Sequence, residues 1–282
     1  MKNPIYPCLW FDGNAKEAAD LYCSIFPHAR VTADTPMVVN FEMSGQKFMG
    51  LNGGSMFKIN PSISFFVVCE SIDEIDLAWQ QLSKGGNVLM PLDKYDWSEK
   101  YGWIQDKFGV NWQLSYGKLS EVGQKFTPTL MFVGEQHGKT IDAIDFYTAI
   151  FEPSSIRGVL RYSEADQEPT GTVKHAQFTL DKTVLMAMDS SYEHDFQFSE
   201  GLSFVIDCET QEEIDYYWQR LTEGGQESQC GWLKDPFGVS WQVVPTVLES
   251  LMSDPVKAPK VTAAFLKMSK FDIETLIKAS ES

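Results

Sequence analysis

Gly102-Trp103-Ile104-Gln105-Asp106-Lys107-Phe108-Gly109-Val110-Asn111-Trp112-Gln113 returns 129 residues later as Gly231-Trp232-Leu233-Lys234-Asp235-Pro236-Phe237-Gly238-Val239-Ser240-Trp241-Gln242, identical at eight of twelve positions. Chance does not repeat tryptophans in order, so the chain carries an internal duplication. Upstream the match continues at an offset of 139: Ser64-Phe65 and Cys69-Glu70 return as Ser203-Phe204 and Cys208-Glu209, and Trp79 with Gly85-Gly86 returns as Trp218 with Gly224-Gly225. Tyr22, Ile25 and Phe26 return as Tyr147, Ile150 and Phe151. The two offsets differ because a loop after the second Gly-Gly is ten residues shorter, the kind of change surface loops tolerate.

Each copy alternates strand and helix. Residues 14–26 place Ala15, Ala18, Ala19, Tyr22, Ile25 and Phe26 on one helical stripe, with Asn14 and Glu17 at capping-box spacing. Ser71 and Glu74 open a second helix that Gly85-Gly86 stops, and Thr210, Glu213 and Gly224-Gly225 bracket its counterpart. Strands are expected at 6–11, 37–43, 47–51, 63–69, 102–105 and 111–116, and again at 128–133, 174–180, 183–188, 202–208, 231–234 and 240–244. The expected domains are residues 1–120 and 125–246, each of two strand–helix–strands units, followed by a helical extension over 247–282. That extension reads as a packing arm on a sheet edge, or as a regulatory element.

Composition narrows the functions. The chain has 282 residues, 23 Lys plus Arg against 39 Asp plus Glu, and a formal net charge of −16. A basic footprint for nucleic acid is missing, and an anionic membrane surface would repel the protein. No apolar run has the length to span a bilayer, and the first residues carry no signal-peptide pattern. The five cysteines (Cys8, Cys23, Cys69, Cys208, Cys230) form no C-x-x-C pair, which reads as free thiols in a reducing cytoplasm.

The repeat resembles the vicinal-oxygen-chelate superfamily, the glyoxalase, bleomycin-resistance and extradiol-dioxygenase group, and within it the PhnB-like branch. The similarity is carried by Pro128-Thr129-Leu130-Met131-Phe132, by Asp145-Phe146-Tyr147-Thr148-Ala149-Ile150-Phe151, and by the run from Cys230 to Gln242. Leu89-Met90-Pro91-Leu92-Asp93-Lys94-Tyr95 and Leu266-Lys267-Met268-Ser269-Lys270-Phe271-Asp272-Ile273 add to it. The resemblance implies an α+β fold: tandem glyoxalase-like domains, each of two βαβββ units with a curved mixed or antiparallel sheet, plus the helical tail. The branch often carries a demethylubiquinone methyltransferase label. The residues give it no support, because no Gly-rich turn joins a strand to a helix as a cofactor phosphate or nucleotide site requires, and Gly50-Leu51-Asn52-Gly53-Gly54 reads as a tight turn.

Metal-dependent members of the superfamily use two histidines and a glutamate, at positions that fall near Ile5, Ser64 and Gln113 in copy one and near Phe126, Ser203 and Gln242 in copy two. None of these is a histidine or carboxylate, so no metal and no other cofactor is expected. His28, His137, His175 and His194 are scattered: His28 and His137 read as solvated loop residues, and His175 as a half-buried residue at a strand start or a ligand contact. Glu193-His194-Asp195 cannot converge on an extended chain. Alternation puts Gln113 and Gln242 opposite Trp112 and Trp241, on the side where the superfamily keeps its ligand; there a Gln orients a carbonyl, amide or phosphonate, or else satisfies backbone. Met49, Met186 and Phe66 either line the same cavity or belong to the core. Asp106 and Asp235 read as turn caps and Asp189 as a solvated strand end. Cys230, with Lys234 nearby and Tyr101 as its counterpart, is the one candidate nucleophile, against the alternative of an inert thiol.

Three functions compete: a metal-free small-molecule-binding protein; a lyase, isomerase or oxygenase using Cys230 or a non-standard metal site; and an interaction module in which the acidic surface and tail hold a basic partner. The second copy, with Cys230, His175 and Asp189, is the expected place for a working pocket. Fusion of two copies suggests a monomer or a loose homodimer.

Overall fold

The computed structural model describes residues 5–281. One unit, a strand, a helix and three strands, occurs four times. The first comprises β1 (Tyr6–Phe11), α1 (Ala15–Ile25), β2 (Ala29–Asp34), β3 (Val38–Met43) and β4 (Gln46–Asn52), and the second β5 (Ile63–Cys69), α2 (Ile72–Leu82), β6 (Asn87–Tyr95), β7 (Ser98–Gln105) and β8 (Asn111–Tyr116). After the short helix α3 (Leu119–Val122) comes the third: β9 (Phe126–Phe132), α4 (Thr140–Ile150), β10 (Ser154–Arg161), β11 (Val173–Leu180) and β12 (Thr183–Asp189). The fourth is β13 (Leu202–Cys208), α5 (Gln211–Thr222), β14 (Gln226–Glu227), β15 (Trp232–Lys234) and β16 (Ser240–Pro245), and α6 (Val247–Ser253), α7 (Ala258–Phe265) and α8 (Ile273–Glu281) close the chain. In every unit the first strand runs parallel to the last, with Cys8 beside Met49, Phe65 beside Trp112, Met186 beside Thr129 and Phe204 beside Trp241. Parallel neighbours need a crossover, which the helix of each unit supplies.

Residues 7–202 form one compact unit; Ser203 onward, with residues 5 and 6, forms another. The larger unit contains an eight-stranded sheet in the order β10-β11-β12-β9-β5-β8-β7-β6. Its centre is the antiparallel pair β5–β9, with Ser64 opposite Thr129 and Phe66 opposite Thr127. Half of this sheet therefore comes from the first copy of the sequence repeat and half from the second. β1, β4, β3 and β2 lie side by side in that order within the same unit, and β14, β15, β16 and β13 do so in the smaller one.

Alternation along the strands sorts the side chains. On β8, Trp112 and Leu114 are fully buried; Trp112 packs on Tyr22 of α1 and on Phe26 just after it, at 5.0 and 5.4 Å between ring centres, and on Phe65 at 5.4 Å. Phe48, Phe65 and Phe126 extend this core. The buried stripe of α2, Ile75, Ala78 and Leu82, packs on the same sheet, and a Cβ at Gly102 would meet the Trp79 ring at 2.6 Å.

Capping follows the sequence at two helices and departs from it at one. Ser71 Oγ accepts from Glu74 N at 3.2 Å and Thr210 Oγ1 from Glu213 N at 3.3 Å. Asn14, by contrast, makes no side-chain cap, and Asn52 at the end of β4 accepts from Ala15 N at 3.0 Å instead. Asp189, the counterpart of Asn52, holds the entry to α4 without capping its backbone: it accepts from Gly138 N, Thr140 Oγ1 and Val173 N at 2.9, 2.7 and 2.8 Å. Asp189 is 1% exposed, so the expectation of a solvated strand end is corrected; three donors satisfy its buried carboxyl oxygens.

β2, β6, β10 and β14 are absent from the sequence expectation. They lie at the ends of their strand orders, β6 contains Pro91, and β10 is exposed over nearly its whole length. A strand with little buried on either side carries no apolar alternation to read.

In the smaller unit the tail packs on the start of β15. Cys230 N donates to Met268 O at 2.8 Å and Gly231 N to Ser269 O at 2.7 Å, while Gln211 holds Phe271 O and Ile273 N at 3.1 and 2.9 Å. A Cβ on Gly231 would fall 2.5 Å from the Phe271 ring, where its counterpart Gly102 would meet the Leu92 backbone at 3.0 Å. Phe271 thus stands where the first copy has the outer part of β6, of which the shortened second copy keeps only the two residues of β14.

Both D-x-F-G turns are built on their aspartate. Asp106 Oδ1 accepts from Phe108 N and Val110 N at 2.8 and 3.0 Å, and Oδ2 from Tyr22 OH and Trp112 Nε1 at 2.8 and 2.9 Å. Asp235 accepts from Phe237 N, Val239 N and Trp241 Nε1 at 2.9, 3.1 and 2.8 Å. Burial pushes the Asp106 carboxyl above its ordinary value against the pull of its donors. Asp106→Ala strands two backbone donors, a phenol and an indole, and is expected to lower unfolding stability by about 2–4 kcal/mol in a urea titration. An unchanged midpoint would contradict this account of the turn.

Candidate functional site

The face of the eight-stranded sheet turned away from Trp112 gathers neutral polar groups. Alternation and register place Ser64 and Phe66 of β5, Gln113 of β8, Tyr101 and Trp103 of β7, Thr127 and Thr129 of β9, Met186 of β12, and His175, Gln177 and Thr179 of β11 on it. Gln113, Ser64, Tyr101, Thr127, Thr129 and Met186 are all buried.

Gln113 is held at both ends. Tyr101 OH donates to its Oε1 at 2.7 Å, and its Nε2 donates to Ser64 Oγ at 2.7 Å. Burial, with Tyr95 adding to it, pushes the Tyr101 phenol far above its ordinary value, so it stays a donor. Beside this relay, Trp103 Nε1 and Thr127 Oγ1 are buried polar atoms with no hydrogen-bond partner among the described residues, and Thr179 Oγ1 is another such atom farther off on β11. A buried orphan donor costs about 1–3 kcal/mol, so such atoms mark places where a bound molecule gains by supplying the partner.

Toward solvent the β6–β7 hairpin carries an aromatic group. Tyr95 and Trp97 stack with ring centres 4.9 Å apart and planes 25° apart, and both meet Tyr101 edge-on, at 5.8 and 6.0 Å. Trp97 is 65% exposed. On the β11 side, Gln177 Nε2 and Arg157 Nη1 donate to Val122 O of α3 at 3.0 and 3.1 Å, tying α3 to the sheet.

A divalent ion does not fit these donors. Amide, hydroxyl and phenol bring neither charge nor strong basicity, and both ends of Gln113 are engaged. Among the described residues no group of three or more His, Cys, Asp or Glu comes together.

Of the candidates drawn from sequence, the sheet brings together Ser64, Phe66, Gln113, Met186 and His175. His175 is exposed, and burial of part of its ring lowers its pKa. Met49 lies apart on β4, paired with Cys8 and Asn40. Gln242 and Ser203 repeat the relay's inner half in the smaller unit, at 2.9 Å. Phe126, one of the positions inferred from the family's metal ligands, packs into the helix-side core; its neighbour Thr127 faces the site. Cys230 sits under the tail, its thiol directed to Phe265 O at 3.7 Å and its pKa raised by burial, the opposite of what activates a thiolate. His194 bonds Ser190 Oγ at 2.9 Å, and His28 is exposed. In the Gly50–Gly54 run, Gly53 lies against Trp10, whose Nε1 donates to Gly54 O at 2.7 Å; close packing accounts for the glycine.

Tyr101, Trp103, Thr127, Thr129, Gln177, Thr179, Tyr95 and Trp97 were not among those candidates. Tyr101 and Trp103 were legible as alternate residues of one strand. The threonines were not, because their place on the face that carries Gln113 depends on β9 of the second copy pairing with β5 of the first.

The sequence model of the family described as 3-demethylubiquinone-9 3-methyltransferase matches residues 3–115 and 124–244. A putative 3-demethylubiquinone-9 3-methyltransferase, PhnB protein, from Bacillus cereus is 32% identical over 42% of this chain and 98% of its own, with a TM-score of 0.37. Glyoxalase I from Zea mays is 14% identical, with a TM-score of 0.57 over 90% of this chain and 97% of its own. A putative dioxygenase from Bacillus subtilis is 12% identical, with a TM-score of 0.51 over 87% and 86%. No curated protein matches.

Gln113→Glu tests the neutrality of the site. Burial raises a carboxyl's pKa above its unfolded value, so the variant's penalty is present above the folded pKa and fades as pH falls through it. The variant's melting temperature is expected to lie below the parent's at pH 8, with the gap closing toward pH 5. A gap independent of pH would contradict a dry, uncharged environment.

Proposed function

The chain belongs to the 3-demethylubiquinone-9 3-methyltransferase family, a PhnB-like branch of the vicinal-oxygen-chelate superfamily, and from that premise we propose that it is a metal-free small-molecule-binding protein. Its ligand lies on the face of the eight-stranded sheet turned away from Trp112, oriented by neutral hydrogen bonds around Gln113. The observation that carries this reading is the Tyr101–Gln113–Ser64 relay, which fixes the direction of a buried amide beside unpartnered Trp103 and Thr127. A buried, pre-oriented amide with neighbouring orphan groups is the chemistry of recognition by shape and hydrogen bonding. Methyl transfer is not carried over from the family's name, which is a label; the glycine run nearest to a nucleotide turn is explained by Trp10. The five cysteines are all free, in keeping with a reducing cytoplasmic compartment.

Metal analysis of protein purified without chelator is expected to return well under one equivalent of divalent ion per chain. Added zinc or manganese should leave the melting temperature unmoved, since only a ligand of the native state raises it. A full equivalent of ion, lost together with a fall in melting temperature on chelation, would overturn the proposal.

A further inference from the structure

We infer that the molecule held on this face is a flat, uncharged aromatic compound bearing a hydrogen-bond acceptor: its ring system meets the Tyr95–Trp97–Tyr101 group, and its acceptor meets the Trp103 indole N–H. The inference rests on the preceding reading of the face as a ligand site and specifies what that site selects.

Three observations carry it. The aromatic group is continuous from solvent to the relay: Trp97 is 65% exposed and stacked on Tyr95, both rings touch Tyr101, and Tyr101 bonds Gln113. Rings in this arrangement extend naturally to one more flat ring, whereas an aliphatic ligand gains only area. The second observation is the polarity of the orphans. An indole N–H donates and cannot accept, so Trp103, the cross-strand neighbour of Gln113, selects a ligand acceptor. The third is neutrality: Gln113, Thr127 and Trp103 offer no countercharge, and an unpaired carboxylate brought among them loses more hydration than they replace. The smaller unit supplies an internal contrast. There Gln242 bonds Ser203, but Cys230 replaces Tyr101 and the hairpin arm is shortened, so aromatic selectivity belongs to the Gln113 site.

The test is a titration of the full chain with 2-acetylnaphthalene, 2-naphthoate and cyclohexyl methyl ketone, followed by calorimetry and by the indole and Gln side-chain N–H resonances. 2-Acetylnaphthalene is expected to bind most tightly and to shift the Trp103 and Gln113 signals. Trp97→Ala should weaken it about three- to tenfold by removing the stacking ring, and Trp103→Phe by a similar factor, about three- to tenfold, by removing the donor while keeping a ring. Trp97 is exposed, so its variant reports on binding and not on folding. Equal or tighter binding of the naphthoate or the aliphatic ketone at the same resonances, or unchanged affinity in Trp97→Ala, overturns the ligand class and leaves the site standing. If none of the three probes moves Trp103 or Gln113, both the class and the reading of the face as a ligand site fall.

Discussion

Trp112 and Gln113 are consecutive residues of one strand, so their side chains leave the sheet in opposite directions. Trp112 is pinned on the helix side by the Asp106 carboxylate and by the rings of Tyr22, Phe26 and Phe65. With the tryptophan fixed, the glutamine has one place to go. A one-residue slip of β8 would bury an amide among aromatic rings and expose an indole, which the buried carboxylate forbids. The same device recurs at Asp235, Trp241 and Gln242, so the duplication preserved the anchor and, with it, the direction of the amide.

The anchor also explains why the site is uncharged. A glutamine between a phenol and a hydroxyl satisfies its amide without bringing a net charge into the sheet, and the high pKa of Tyr101 keeps the phenol a donor over any ordinary pH. In a fold whose metal-dependent members gather imidazole and carboxylate, this chain gathers donors and acceptors of ordinary strength. On the proposed reading, selectivity comes from shape, from the direction of individual hydrogen bonds and from the aromatic hairpin above them.

Much of the fold was legible in the sequence. The repeated Gly-Trp to Trp-Gln run, the Ser71 and Thr210 caps and the Gly-Gly stops located helices and central strands, because buried apolar alternation and capping chemistry are local properties. β6 and β10 were not legible: they bury little, so their residues obey no pattern. The site was half legible. Alternation alone directs Gln113 and Phe66, and the family's pattern points to Ser64. Thr127, Thr129 and Thr179 joined them only through the β5–β9 pairing across the two copies, a long-range contact that no local pattern encodes. The helix caps show the same limit. Asn14 had the right spacing, yet Asn52, 37 residues farther along the chain than the Ala15 amide it caps, makes the bond.

On the proposed reading, the groups around Gln113 recognise by neutral hydrogen bonding and do not grip a cation. Paramagnetic relaxation measures this at the atoms concerned, because manganese(II) broadens the N–H signals of side chains close to the ion it is bound to. With substoichiometric manganese added, the account predicts that the Gln113 amide and Trp103 indole signals keep their intensity. Selective loss of those two signals, with others in the sheet preserved, would contradict it.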